Sequence, residues 1–271
     1  MKNSITPAQQ LYYAWDLSHK KSTSDDSRFT GVLSEAKVDM NPHQVEAALF
    51  AFKSPLSKGA ILADEVGLGK TIEAGIIISE LWAEHSRRII IVVPASLRNQ
   101  WNLEFMDKFF LPSVILENDS YKEIKELGNN PFEDGRNIII CSYNFAIKHS
   151  EELQLVDWDL VVFDEAHKMR NVYKKGNIIG NTMMNTFKHY KKVLLTATPL
   201  QNNLKELYGL ISIIDPHFFS TVDSFNEQYN MITTRDSAKF GELKGRLSHI
   251  VHRTLRKQVK EYVNYTKRTA L

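Results

Sequence analysis

Lys70 and Thr71 are the residues whose setting promises the most chemistry, because they close the run Asp64-Glu65-Val66-Gly67-Leu68-Gly69-Lys70-Thr71. Two glycines ahead of a Lys-Thr pair let the backbone turn tightly. Successive N–H groups and the start of a following helix then face one point, where the helix dipole also favours negative charge. In a loop of this kind the lysine reaches the β- and γ-phosphates of a nucleotide, and the threonine hydroxyl ligands the magnesium that bridges them. Asp64 occupies the place of the usual first glycine, which is a departure from the pattern. The competing reading of this run alone is a glycine-rich turn with an incidental lysine.

A second group of chemically able residues is Asp164-Glu165-Ala166-His167, at the end of the apolar run 160–163. Carboxylates at the carboxyl end of a parallel strand stand where open α/β sheets bind ligands. Asp164 there would hold the magnesium, and Glu165 would orient and deprotonate the water that attacks the γ-phosphate. His167 would link this site to the next motif. Alone, these four fit a capped helix start equally well, but their order after the phosphate loop favours the catalytic reading.

Downstream, Thr196 and Thr198 stand at the end of another apolar run, with Gln201 and Asn202 just beyond, before a helical pattern carrying Leu204, Leu207, Leu210 and Ile211. Such hydroxyls and amides can bond the γ-phosphate region or His167 and relay its state elsewhere; a polar capping loop is the alternative. Upstream, Asn41 and Pro42 are placed to open a helix as N-cap and first helical residue. Gln44 follows them, with the donor and acceptor that reading an adenine edge requires. Without the other motifs it would be a surface amide.

The elements that must position these groups follow from the pattern of apolar runs. Between 41 and 216 short β-branched runs at 60–63, 88–93, 113–116, 137–141, 160–163 and 192–196 alternate with helical stretches. That alternation predicts an α/β fold with a central, mainly parallel sheet covered by helices on both faces. Leu97, Trp101, Phe105 and Phe109 recur on one helical face and are expected in the core. Residues 1–40 form an N-terminal accessory segment, and 217–271 read as a helical addition without further strands.

Composition bounds the rest. At 43% hydrophobic over 271 residues the chain can bury a large core, and its apolar runs are too short for a membrane-spanning helix, so a cytosolic protein is expected. One cysteine, Cys141, excludes an intramolecular disulfide, and His249 with His252 lacks a third metal ligand, leaving both as solvent-exposed histidines. A net charge of +2 says nothing about partners. The basic stretch 244–268 carries eight Lys or Arg against one acid, which fits a phosphate backbone or merely a solvated helical face.

Taken in order, these motifs resemble the SWI/SNF-type branch of the superfamily 2 helicase-like ATPases, over 41–216 and more weakly to 259. In that branch an aspartate commonly replaces the first glycine of the phosphate loop, as Asp64 does here. Thr196-Ala197-Thr198-Pro199, then Leu200 to Asn203, then Ile214-Asp215-Pro216, is similar to the branch's third motif and its sequel; Ala197 leans toward bacterial members. The resemblance implies a RecA-like lobe, ATP and Mg2+ as ligands, and double-stranded DNA as track. It also assigns phosphate contacts to Pro94, Ala95 and Ser96 and to Ser142 and Tyr143, with Arg98 nearby. Binding through such groups is largely sequence-independent. It further implies a second RecA-like lobe supplying arginines worth roughly 10³ to 10⁵ in rate. None follows 216, so the expectation is a fragment or split subunit that hydrolyses ATP very slowly by itself. A nucleotide-gated binding module without turnover, or an ATPase on RNA or single-stranded DNA, are the other readings.

Overall fold

Neighbouring residues along the apolar runs part to opposite faces of a sheet, as the two-residue period of a strand requires. Ile91, Val162 and Val193 join one buried cluster, while Ile90, Val92, Val161, Phe163 and Leu194 join the other. Both faces are therefore covered, which is why these strands read as nearly continuous apolar runs. The computed structural model describes residues 40–53, 58–133, 135–200, 203–229 and 237–259. The expected accessory segment up to residue 39, and Gln201 and Asn202, lie outside the described residues.

In chain order the elements are α1 (Pro42–Lys53), β1 (Gly59–Leu62), α2 (Lys70–Ala83), β2 (Ile89–Val93), α3 (Arg98–Phe109), β3 (Ser113–Leu116), α4 (Asn118–Glu126) and β4 (Ile138–Ser142). There follow α5 (Tyr143–Lys148), α6 (Ser150–Gln154), β5 (Leu160–Phe163), α7 (Ile178–Thr186), β6 (Lys192–Leu195), α8 (Leu204–Ile214), α9 (Val222–Tyr229), α10 (Ser237–Leu247) and β7 (Val251–His252). All paired strands are parallel, in the order β3-β4-β2-β5-β6-β1-β7. Helices α1, α2 and α3 cover one face through Ala48, Ile76, Ile78, Trp101 and Phe105; α5 and α7 to α10 cover the other through Phe145, Met183, Leu210, Phe225 and Leu243. Six strands and the helical face of Trp101 stand where the sequence pattern puts them, within a residue.

The expectation of a strand-free tail is corrected. After α10 the chain returns to the sheet as β7, pairing Val251 with Ile61 and His252 with Leu62. Two residues are too few to show alternation, and the partner strand lies far away in sequence, so no local pattern announces this element. Among the described residues no helix is long and apolar enough to cross a membrane.

Candidate nucleotide site

Strand order decides what meets what. β6 lies between β1 and β5, so the segments leaving the carboxyl ends of these three strands are neighbours. They are the phosphate loop after β1, Thr196 to Thr198 after β6, and Asp164 to His167 after β5. Thr196 N donates to Leu62 O at 3.1 Å, and Asp164 N to Val92 O at 2.9 Å, extending the ladders into the site.

Within the loop Gly67 and Gly69 have φ of 83° and 89°, the left-handed region that a side chain disfavours. At Gly69 a Cβ would also lie 2.3 Å from Gln44 Nε2. Helix α2 starts at the next residue, so its first N–H groups face the loop's hollow. Lys70 Nζ donates to Asp64 O at 3.0 Å, folding the side chain back over the turn. Gln44 Nε2 and His43 Nε2 both meet Leu68 O, at 2.9 and 3.0 Å, and Gln44 Oε1 accepts from Asn41 N at 3.0 Å. Both ends of the Gln44 amide are thus engaged, so reading an adenine requires it to exchange a partner.

Asp64 does not face the hollow. It is fully buried, and its Oδ1 accepts from Thr254 N at 2.7 Å and lies 3.5 Å from His252 Nδ1. Burial works to raise its pKa, but these partners prevail and hold the carboxyl below its usual range. His252, expected in solvent, instead packs against this carboxylate; His249 is exposed. Beneath the loop Glu73 is also fully buried, and among the described residues neither of its oxygens has a hydrogen-bond partner. Burial first, and the charge of Asp64 second, push its carboxyl well above the usual range.

On the other side of β6, Asp164 is buried, its Oδ2 accepting from Trp101 Nε1 at 2.9 Å and its Oδ1 from Glu165 N at 2.8 Å. Burial raises its carboxyl above the ordinary range against the pull of those bonds and of the Lys70 charge. Glu165 has φ of 51°, a conformation that costs a non-glycine residue on the order of 1 kcal/mol. Its side chain is half-buried, with Oε2 2.9 Å from His167 Nδ1 but off a hydrogen-bond direction. At the third motif, Thr196 is buried and its Oγ1 accepts from Thr198 N at 3.2 Å, while Thr198 is exposed.

The expected nucleic-acid contacts separate into two groups. Ala95 and Ser96 are exposed on a short turn after Pro94. Ser142 caps α5, accepting from Phe145 N at 3.2 Å, and borders an open cleft of about 430 Å³ with Arg98, Asn144 and Lys148. Tyr143 is a correction: it is 4% exposed, and its hydroxyl donates to Asp164 O at 2.7 Å. It starts a helix that packs on the sheet, so its ring stacks on Phe163 and braces the acidic motif from behind. Trp101 and Arg256 are site residues that spacing did not reveal. Arg256 N donates to Glu65 Oε2 at 2.9 Å and its Nε to Val66 O at 3.0 Å.

Comparison with known proteins shows the family. Residues 13–270 match the SNF2-related domain. The ATP-dependent helicase YqhH of Bacillus subtilis is 37% identical over 191 residues, 69% of this chain and 31% of that protein. The RNA polymerase-associated protein RapA of Yersinia pestis is 37% identical over 198 residues, 71% of this chain and 20% of that one. The chain thus spans a third or less of the length of these relatives. Among solved structures, the Sulfolobus solfataricus SWI2/SNF2 ATPase core in complex with dsDNA shares the fold, with a TM-score of 0.67, 24% identity and coverage of 82% of this chain and 45% of that one. With the profile match running across nearly its whole length, the chain belongs to the SNF2-related domain family.

Proposed function

We propose that this chain is the ATP-binding lobe of a double-stranded-DNA translocase that couples ATP hydrolysis to movement on DNA or to remodelling of protein–DNA complexes. The observation that carries the reading is the convergence of the phosphate loop, Asp164-Glu165 and Thr196 at the carboxyl ends of β1, β5 and β6. Lys70 is held by a backbone carbonyl and is close enough for its charge to act on Asp164. It exchanges that carbonyl for β- and γ-phosphate oxygens. Thr71 and Asp164 would hold magnesium, which offsets charge on the phosphates. Glu165 takes a proton from water as the water oxygen bonds the γ-phosphorus and the bond to the β–γ bridging oxygen breaks. His167, beside Glu165, would link this site to the segment that begins at Thr196.

The cleft bordered by Arg98, Ser142 and Lys148 holds hydroxyl and cationic groups suited to phosphates rather than bases; Glu117 and Asp119 line it too, and Arg98 is paired with Glu117 at 2.9 Å, so a phosphate binding here exchanges for that carboxylate. The Sulfolobus relative in fold was solved with dsDNA, which favours a duplex as track. A second RecA-like lobe, elsewhere in a longer chain or on another subunit, completes the machine in the cytosol, and this lobe alone turns ATP over very slowly.

The test is steady-state ATP hydrolysis by the full-length protein that carries this chain, alone and with duplex DNA, single-stranded DNA or RNA. Stimulation by duplex well above the other two is expected. Equal stimulation by RNA, or none by any polymer, gives the function instead to an RNA-dependent ATPase or a nucleotide-gated binding module.

A further inference from the structure

The pairing of β1 with β7 does not stop where the strands end. Ile61 N donates to Ile250 O, Ala63 N to His252 O and Glu65 N to Thr254 O, at 2.8, 2.7 and 3.2 Å, carrying the parallel ladder into the phosphate loop. Side chains then take over from backbone. Asp64 Oδ1 accepts from Thr254 N, Glu65 Oε2 accepts from Arg256 N, and the Arg256 guanidinium grips Val66 O through both Nε and Nη2.

In a trans peptide the carbonyl of one residue and the N–H of the next point in opposite directions. A donor that fixes Val66 O on one side therefore aims Gly67 N–H to the other. The same reasoning applies to Leu68 O, held by His43 and Gln44, and Gly69 N–H. Both glycines have φ in the left-handed region and small intrinsic preference for one backbone state, so their N–H directions depend on such outside anchors. Helix α1 supplies one anchor, and residues 252–256 supply the other.

We infer that residues 252–256 form a strap that sets the phosphate-binding shape of the loop, with Arg256 as its positioning residue. Arg256 acts through the Val66–Gly67 peptide and does not touch the nucleotide. The inference rests on reading residues 64–71 as a phosphate loop. It gives the segment by which the chain leaves the sheet a direct hold on the nucleotide site.

The experiment is equilibrium binding of MgATP and MgADP to the full-length protein as wild type, R256A, R256K and K70A, together with amide hydrogen exchange of the 64–71 segment without nucleotide. Arg256 is exposed, so solvent reduces its bonds to Val66 O to the range of ordinary hydrogen bonds, and R256A should weaken both nucleotides by about three- to tenfold. R256K, which keeps one donor, should recover at least half of that loss on a logarithmic scale. Exchange in 64–71 should quicken in R256A while strands β2 and β5 stay protected. Should R256A quicken exchange throughout the sheet, R256K supplies the affinity comparison. Wild-type affinity in R256A, with K70A impaired, overturns the strap and leaves the phosphate loop standing. Failure of the wild type to bind either nucleotide overturns both.

Discussion

Trp101 donates its indole N–H to Asp164 Oδ2 across 2.9 Å, tying the core face of α3 to the acidic end of β5. Both groups are buried, so the bond opposes the rise that burial imposes on the Asp164 carboxyl. The tryptophan's donor thus favours the charged form of a proposed magnesium ligand from within the core.

Trp101→Phe keeps most of the packing against Phe105 and removes the donor. A hydrogen bond to a charged group is worth about 1.5 kcal/mol or more, roughly one pKa unit, so the Asp164 carboxyl should rise further. Protonation then competes with magnesium. Magnesium-dependent ATP binding should weaken more at pH 6 than at pH 7.5, as titration at the two pH values measures. A loss independent of pH would place the effect in packing alone.

Glu73→Gln tests the buried acid under the loop. The folded-state carboxyl of Glu73 is raised well above the unfolded one. Its contribution is therefore fully favourable below the unfolded value, near 4.5, and is progressively lost as pH rises toward the folded one. Glutamine has nearly the same shape and does not ionise. The stability of E73Q relative to wild type should thus improve from pH 5 to pH 8 by on the order of 1 kcal/mol, or about 2–4 °C in Tm. Asp64, whose carboxyl is lowered, loses its contribution only as pH falls through the acid range, outside this window.

How much of this was legible in the sequence depends on the range of the interaction. Strands such as Leu160–Phe163 and the core face of α3 follow from local periodicity, and the glycines of the loop announce their turn by type alone. What escaped was paired at a distance. Thr254 meets Asp64, and Arg256 meets Val66, across 190 residues; Trp101 meets Asp164 across 63. No period in a sequence encodes such pairs. Tyr143 differs in kind: the resemblance assigned it to a phosphate, yet the helix it opens turns the ring into the sheet.

Gly209→Ala should be costly although it lies in a helix interior, where alanine gains up to about 1 kcal/mol by propensity. A Cβ at Gly209 would stand 1.8 Å from Arg170 O, the backbone just after the acidic motif's turn. α8 must then move off that turn, straining the contact between Arg170 Nε and buried Glu206, now 3.5 Å apart. A net loss of roughly 1–3 kcal/mol is expected from overpacking, read from urea unfolding midpoints at unchanged slope. Wild-type stability would show that α8 is free to shift.

Lys70→Ala and Glu165→Gln separate binding from chemistry. Lys70 reaches the loop from the first residue of α2, and its removal takes away a phosphate's charge partner while leaving the turn geometry to Gly67 and Gly69. Nucleotide affinity should fall by about tenfold or more. Glu165→Gln keeps the side-chain size at a residue already in the left-handed region and removes only the ability to take a proton. Binding should persist while turnover by the full-length protein falls by roughly 10² to 10⁴. Binding titrations beside steady-state rates distinguish the two, and equal loss of ATP affinity in both variants would show that Glu165 holds the nucleotide rather than the attacking water.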